Sequence, residues 1–139
     1  MASNDTNGKL IRSNSVAAEN AVAHGLTAER VLSAEQEEYE TLRHELEEQY
    51  SPKDRYQAEL VNRLARLIVR RRRAEDLERR VFAECWGGED GFDPRRFVTF
   101  VATFHRYDME ISRALIKTQH ELARATGRPG APDAFDFIW

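Results

Sequence analysis

Residues Ile68 to Arg80 read IVRRRRAEDLERR, four consecutive arginines with two more in the next seven positions. A guanidinium is planar and presents forked donors that match phosphate oxygens, so such a run could grip a nucleic-acid backbone. The candidates for that role are Arg66, Arg70, Arg72, Arg73, Arg79 and Arg80. Two other readings compete, structural charge and protein docking. Glu75, Asp76 and Glu78 stand inside the run, and each nearby carboxylate offsets an arginine and repels phosphate. No aromatic residue is interleaved with the arginines, so a stacking platform for single strands is not indicated.

Other chemistry finds little support. His24, His44, His105 and His120 form no pair at metal-ligand spacing, and Cys85 is the single cysteine. No zinc ligand set and no internal disulfide follow from these residues. No glycine-rich phosphate loop, nucleophile elbow or two-carboxylate helix motif is present. Glu59, Asp76, Asp108 and Glu110 are scattered carboxylates with structural explanations. The expectation is a protein without a catalytic centre, metal or cofactor.

The elements that must carry these residues are helices. The chain has 139 residues, 41% hydrophobic and 32% charged, which suits one domain built from long exposed helices. Net charge is −3, but it is unevenly placed. Seven acids and one arginine fall between Ala34 and Tyr50, and ten bases and six acids between Pro52 and Cys85. No apolar run approaches the roughly 20 residues of a membrane span, and the start MASNDTNGKLIRS has no apolar signal core. A cytoplasmic location is expected.

The fold class expected is all-α. Residues 1–25 read as a disordered N-terminal segment, 26–126 as the helical domain, and 127–139 as a linker with an aromatic tail. The first helix spans about 33–50, with Ser33 and Gln36 at capping-box spacing and Tyr39, Leu42 and Leu46 on its apolar side. Ser51-Pro52 should end it and cap the second helix, about 52–85. Gly87, Gly88 and Gly91 break that helix, and Asp93-Pro94 repeats the cap-then-proline signal for a third, about 94–126, which Gly127 stops.

A short connection makes the second and third helices an antiparallel hairpin. With its turn near Glu89, facing residues have numbers summing to about 180. Arg71 and Asp108 then interrupt the two apolar stripes at one level, which predicts an interhelical ion pair that fixes register. The first helix's glutamates should lie near Arg63, Arg66 and Arg70. The first helix is too short to reach the distal hairpin, where Val81, Phe82 and Trp86 face Phe97, Phe100, Val101 and Phe104. That apolar end is the predicted interface of a homo-oligomer, unless a terminal segment of the same chain covers it. The tail ends Phe135-Asp136-Phe137-Ile138-Trp139. Phe135, Phe137, Ile138 and Trp139 either dock on their own bundle or anchor a protein partner.

The segment Asn20-Ala21-Val22-Ala23-His24-Gly25-Leu26-Thr27-Ala28, followed by an acidic and then an arginine-rich helix, resembles a recurring bacterial N-A-x-K-H-G-L-T-A family, with Ala23 in place of the lysine. Similar "HGL" openings occur in small terminase subunits of phages and phage-like particles. The resemblance covers about residues 20–80 and implies a ring-forming helical adaptor that hands DNA to a motor ATPase. It also implies a C-terminal segment that contacts the large terminase subunit. The helix-turn-helix typical of small terminases is absent. DNA is therefore a partner to be tested, and a membrane is not expected.

Overall fold

A computed structural model describes residues 30–86 and 91–127. The N-terminal segment with its Asn20–Ala28 motif, the glycines of the hairpin turn before Gly91, and the aromatic tail lie outside these residues. Among the described residues all regular structure is helical: a single 3-10 turn Ser33–Glu35, then α1 Gln36–Tyr50, α2 Arg55–Trp86 and α3 Pro94–Thr126. No described helix is long and apolar enough to cross a membrane.

The third helix begins and ends at the residues its local signals name. Asp93 is extended and accepts the N–H groups of Arg95 at 3.0 Å and Arg96 at 3.3 Å. Pro94 follows at the first helical position, where a missing N–H leaves nothing unsatisfied. Gly127 takes the left-handed conformation, φ 65°, that ends the helix. Asp93→Ala should cost about 1 kcal/mol in urea unfolding followed by helical circular dichroism. An unchanged midpoint would mean those N–H groups find other acceptors.

The α1–α2 connection corrects two expectations. Ser51 does not cap α2. It closes α1 in the left-handed region, φ 46°, with its N–H donating to Glu47 O at 2.8 Å. The cap of α2 is Asp54, whose Oδ1 accepts the Gln57 N–H at 2.8 Å, while Gln57 Oε1 accepts the Lys53 N–H at 2.9 Å. This reciprocal pair has the same physics as a capping box, and it places the start of α2 at Arg55 instead of Pro52. At the other end of α1, Gln36 is not part of a cap with Ser33; it hydrogen bonds Glu40 at 2.9 Å. The entry is held by Glu35 Oε2, which accepts the Leu32 N–H at 3.0 Å.

The hairpin register follows the expected rule. Arg70 meets Glu110 at 3.6 Å, Arg63 meets Glu121 at 3.6 Å and Arg96 meets Glu84 at 3.8 Å. Gln57 Nε2 donates across to Ala125 O at 2.9 Å. Each of these pairs has numbers summing to about 180. At about 1.5 Å per residue, α2 and α3 are rods of roughly 50 Å and α1 is less than half as long.

Burial tracks this difference in length. Where three helices meet, Leu60, Val61, Leu64, Ala65 and Val69 of α2 pack with Leu42 and Leu46 of α1 and Ile111, Leu115 and Leu122 of α3. Beyond Ala74, only Val81 and Cys85 of α2 are buried, and α3 before Phe104 has no buried residue.

Candidate functional site

The arginine run is divided by the helix it sits on. Arg73 turns inward to the α1 entry, 9% exposed, and its guanidinium forms a two-bond fork with Glu35. Nε donates to Oε1 at 2.6 Å, and Nη2 donates to Oε2 at 2.7 Å and to Arg30 O at 3.0 Å. Burial alone would push the Glu35 carboxyl up; the Arg73 hydrogen bonds, the Leu32 N–H and the Arg73 charge outweigh it and hold the group below its ordinary range. Arg70, also 9% exposed, faces Glu110 of α3. Arg66 donates to Glu59 at 2.7 Å, Arg72 to Glu38, and Arg79 to Asp76.

The six arginines proposed for phosphate therefore do not share one solvent face. Helical geometry turns consecutive residues by about 100°, so a tetrad in sequence spreads around the whole helix. Arg72, Arg79 and Arg80 stay exposed, Arg66 is half-buried, and Arg70 and Arg73 are enclosed. The α1 glutamates also sit further along α2 than expected. Glu35 and Glu38 reach Arg73 and Arg72, whereas Arg63 and Arg66 engage Glu121 and Glu59.

Arg71 Nε lies 3.5 Å from Glu75 Oε1 on its own helix. Arg71 and Asp108, the predicted cross-hairpin pair, stand on the walls of one groove at the distal end of the hairpin. The groove has a volume of about 410 Å³ and a floor of Phe82, Phe97, Phe100, Val101 and Phe104. Its rim carries both signs of charge, with Arg71 beside Glu75, Glu78 and Asp108.

Aromatic rings continue the floor to the tip. Phe82 meets Phe97 edge-on at 5.9 Å, Phe97 meets Phe92 at 5.1 Å, and Phe92 stacks on Trp86 at 4.8 Å. These contacts cover only part of each ring: Phe82 is 49% exposed and Trp86 60%. Val98 and Val101 are exposed beside them, while Phe97 and Phe100 are half-buried. Two members of the predicted interface are instead core. Val81 and Phe104 are each 6% exposed, Phe104 at the bottom of the groove.

No protein-family profile, curated protein sequence or solved structure matches this chain.

A second groove of about 560 Å³ runs between α1 and the hairpin, over Leu46, Tyr50, Leu64 and Ile68. Neither groove gathers a nucleophile with a base. Among the described residues no three of His, Cys, Asp and Glu converge as metal ligands. Cys85 is a buried free thiol, 4% exposed. The partner-binding candidates Phe135, Phe137, Ile138 and Trp139 lie outside the described residues.

Proposed function

We propose that this chain is a non-enzymatic helical adaptor that self-associates through the distal half of its hairpin. One observation carries the reading: an aromatic groove continues for the length of hairpin that α1 does not reach, with Phe82, Trp86 and Val101 open to solvent. Apolar area in water costs about 25 cal/mol per Å², and a contiguous patch of large side chains marks an interaction site more often than single exposed residues do. A second copy is the favoured occupant. A twofold pairing brings each groove onto its own equivalent, and a rim of mixed sign offers each charge an opposite one. The small-terminase resemblance supports the same general role, a helical assembly that connects other components.

Light scattering tests this directly. The expected molar mass is a multiple of 16.1 kDa. A chain ending at Pro132 should give the same multiple, which would assign assembly to the hairpin. A mass of one chain at micromolar concentration and above would reject self-association. Loss of assembly only in the shortened chain would move the interface to the tail.

A further inference from the structure

The densest basic run of the sequence lies on α2, yet a second line of bases lies on α3. Arg106, Arg113, Lys117 and Arg124 follow one another at intervals of seven, four and seven residues. At about 100° per residue these positions fall within a roughly 40° arc, directly opposite the buried stripe of Phe104, Ile111, Leu115 and Leu122. All four are exposed. The arc is about 27 Å long at about 1.5 Å per residue.

Glu110 and Glu121 flank the arc on one side, and Asp108 lies on the far side of the helix. Glu110 reaches Arg70 of α2, Glu121 reaches Arg63 of α2, and Asp108 lines the distal groove. Lys117 approaches Glu121 only at 4.0 Å. Among the described residues no carboxylate comes within ion-pair distance of Arg106, Arg113 or Arg124. The Arg106 guanidinium instead lies 5.1 Å from the centre of the Tyr107 ring. Most of the α2 bases meet carboxylates of α3, of α2 itself or of the Glu35–Glu38 stretch. The cross-hairpin pairs share Glu110 and Glu121 of α3 with bases of α2.

We propose that the outer face of α3 is a nucleic-acid-binding surface on which Arg106, Arg113, Lys117 and Arg124 contact backbone phosphates. Charge complementarity selects the partner. Four exposed bases on one arc, with Glu110 and Glu121 only along its edge, attract a polyanion, and phosphate contact releases the counterions condensed on the nucleic acid. A helix presented by its convex side fits the width of a duplex major groove, with phosphates on either side. The contacts predicted are with phosphates, so they position the strand without reading its sequence. This inference does not depend on self-association through the distal groove, which uses other residues of the hairpin.

The test is fluorescence anisotropy of a labelled mixed-sequence DNA duplex titrated with the full chain between about 50 and 200 mM salt. Arg106→Gln, Arg113→Gln, Lys117→Gln and Arg124→Gln are combined in one variant. All four side chains are on the surface, and circular dichroism with light scattering verifies fold and mass. The wild type should bind with a salt slope that the variant reduces by about 0.9 for each phosphate it no longer neutralises, up to about 3.6. A control carrying Arg72→Gln, Arg79→Gln and Arg80→Gln should keep most of the slope. Absence of binding at the lowest salt overturns the proposal. So does an unchanged slope in the α3 variant, or a control whose slope falls as far. Polyglutamate of matched charge is the comparator: equal affinity for it would assign the ridge to an acidic protein and overturn the nucleic-acid reading.

Discussion

Alanine in place of Glu35 should destabilise the fold by about 3 kcal/mol, the low end of the range for breaking a buried ion pair. The low end applies because Glu35 keeps some contact with water, its side chain 15% exposed against 8% for Arg73. The substitution takes from Arg73 both bonds of its fork with Glu35 and leaves the one to Arg30 O. It also removes the acceptor of the Leu32 N–H, so the entry of α1 loosens at the same stroke. Replacing both partners, Glu35→Leu with Arg73→Met, should recover most of the loss. An apolar pair of similar volume avoids the desolvation that the ion pair must offset. Urea unfolding of the two single variants and the double variant measures the coupling. A loss below about 0.5 kcal/mol for Glu35→Ala, the size of an ordinary surface change, would show that the fork holds nothing in place.

The same pair sets an acid limit. The Glu35 carboxyl has a lower pKa folded than unfolded, so the native state binds fewer protons through this group. Its contribution is complete above the ordinary value of 4.5 and is lost as pH falls through the folded value. Wild-type stability should therefore drop in acid more steeply than that of Glu35→Gln. Parallel profiles would assign the acid sensitivity to other carboxylates.

What could be read from residues alone was what depends on neighbours in sequence. Asp93-Pro94 and Gly127 are local signals, and α3 begins and ends where they say. The hairpin register was legible because a short turn between two rods leaves one free parameter. The Ser51-Pro52-Lys53-Asp54 linker misled because it holds two residues able to cap α2. Gln57, three residues beyond Asp54, was the sign that Asp54 would do it. The α1 pairings were misplaced by a few residues because the tight connection at Ser51 sets how far α1 slides along α2.

The candidate surfaces were legible only in part. Val81 and Phe104 read as interface because apolar spacing alone does not separate a seam from its outer edge. The α3 ridge is inconspicuous in the sequence because its bases stand four and seven residues apart, while four arginines are adjacent on α2. In a helix the opposite holds: adjacent charges point in different directions, and bases spaced by four and seven accumulate on one side.

The distal hairpin sets a core residue and a surface residue three positions apart on one helix, and the difference between them tests the proposed assembly. Phe104→Ala should cost about 3–5 kcal/mol of fold stability, because the ring is 6% exposed and the cavity left behind cannot fully collapse. Val101→Asp, at a position 44% exposed, should leave the isolated chain folded and within about 0.5 kcal/mol of the wild type. Its effect belongs to association. A carboxylate at the centre of an apolar interface weakens binding by at least about 2 kcal/mol, and Phe82→Asp adds a second loss of that order. Each 2 kcal/mol is roughly thirtyfold in Kd, so the combined variant should run at the mass of one chain where the wild type does not. The melting temperature of the wild type should rise with protein concentration and that of the combined variant should not, since only an associating fold gains stability by mass action. If Val101→Asp instead unfolds the chain as Phe104→Ala does, and does so at every concentration, then Val101 is covered within its own molecule. The groove would then be a seam of the single chain, and nothing would require a second copy.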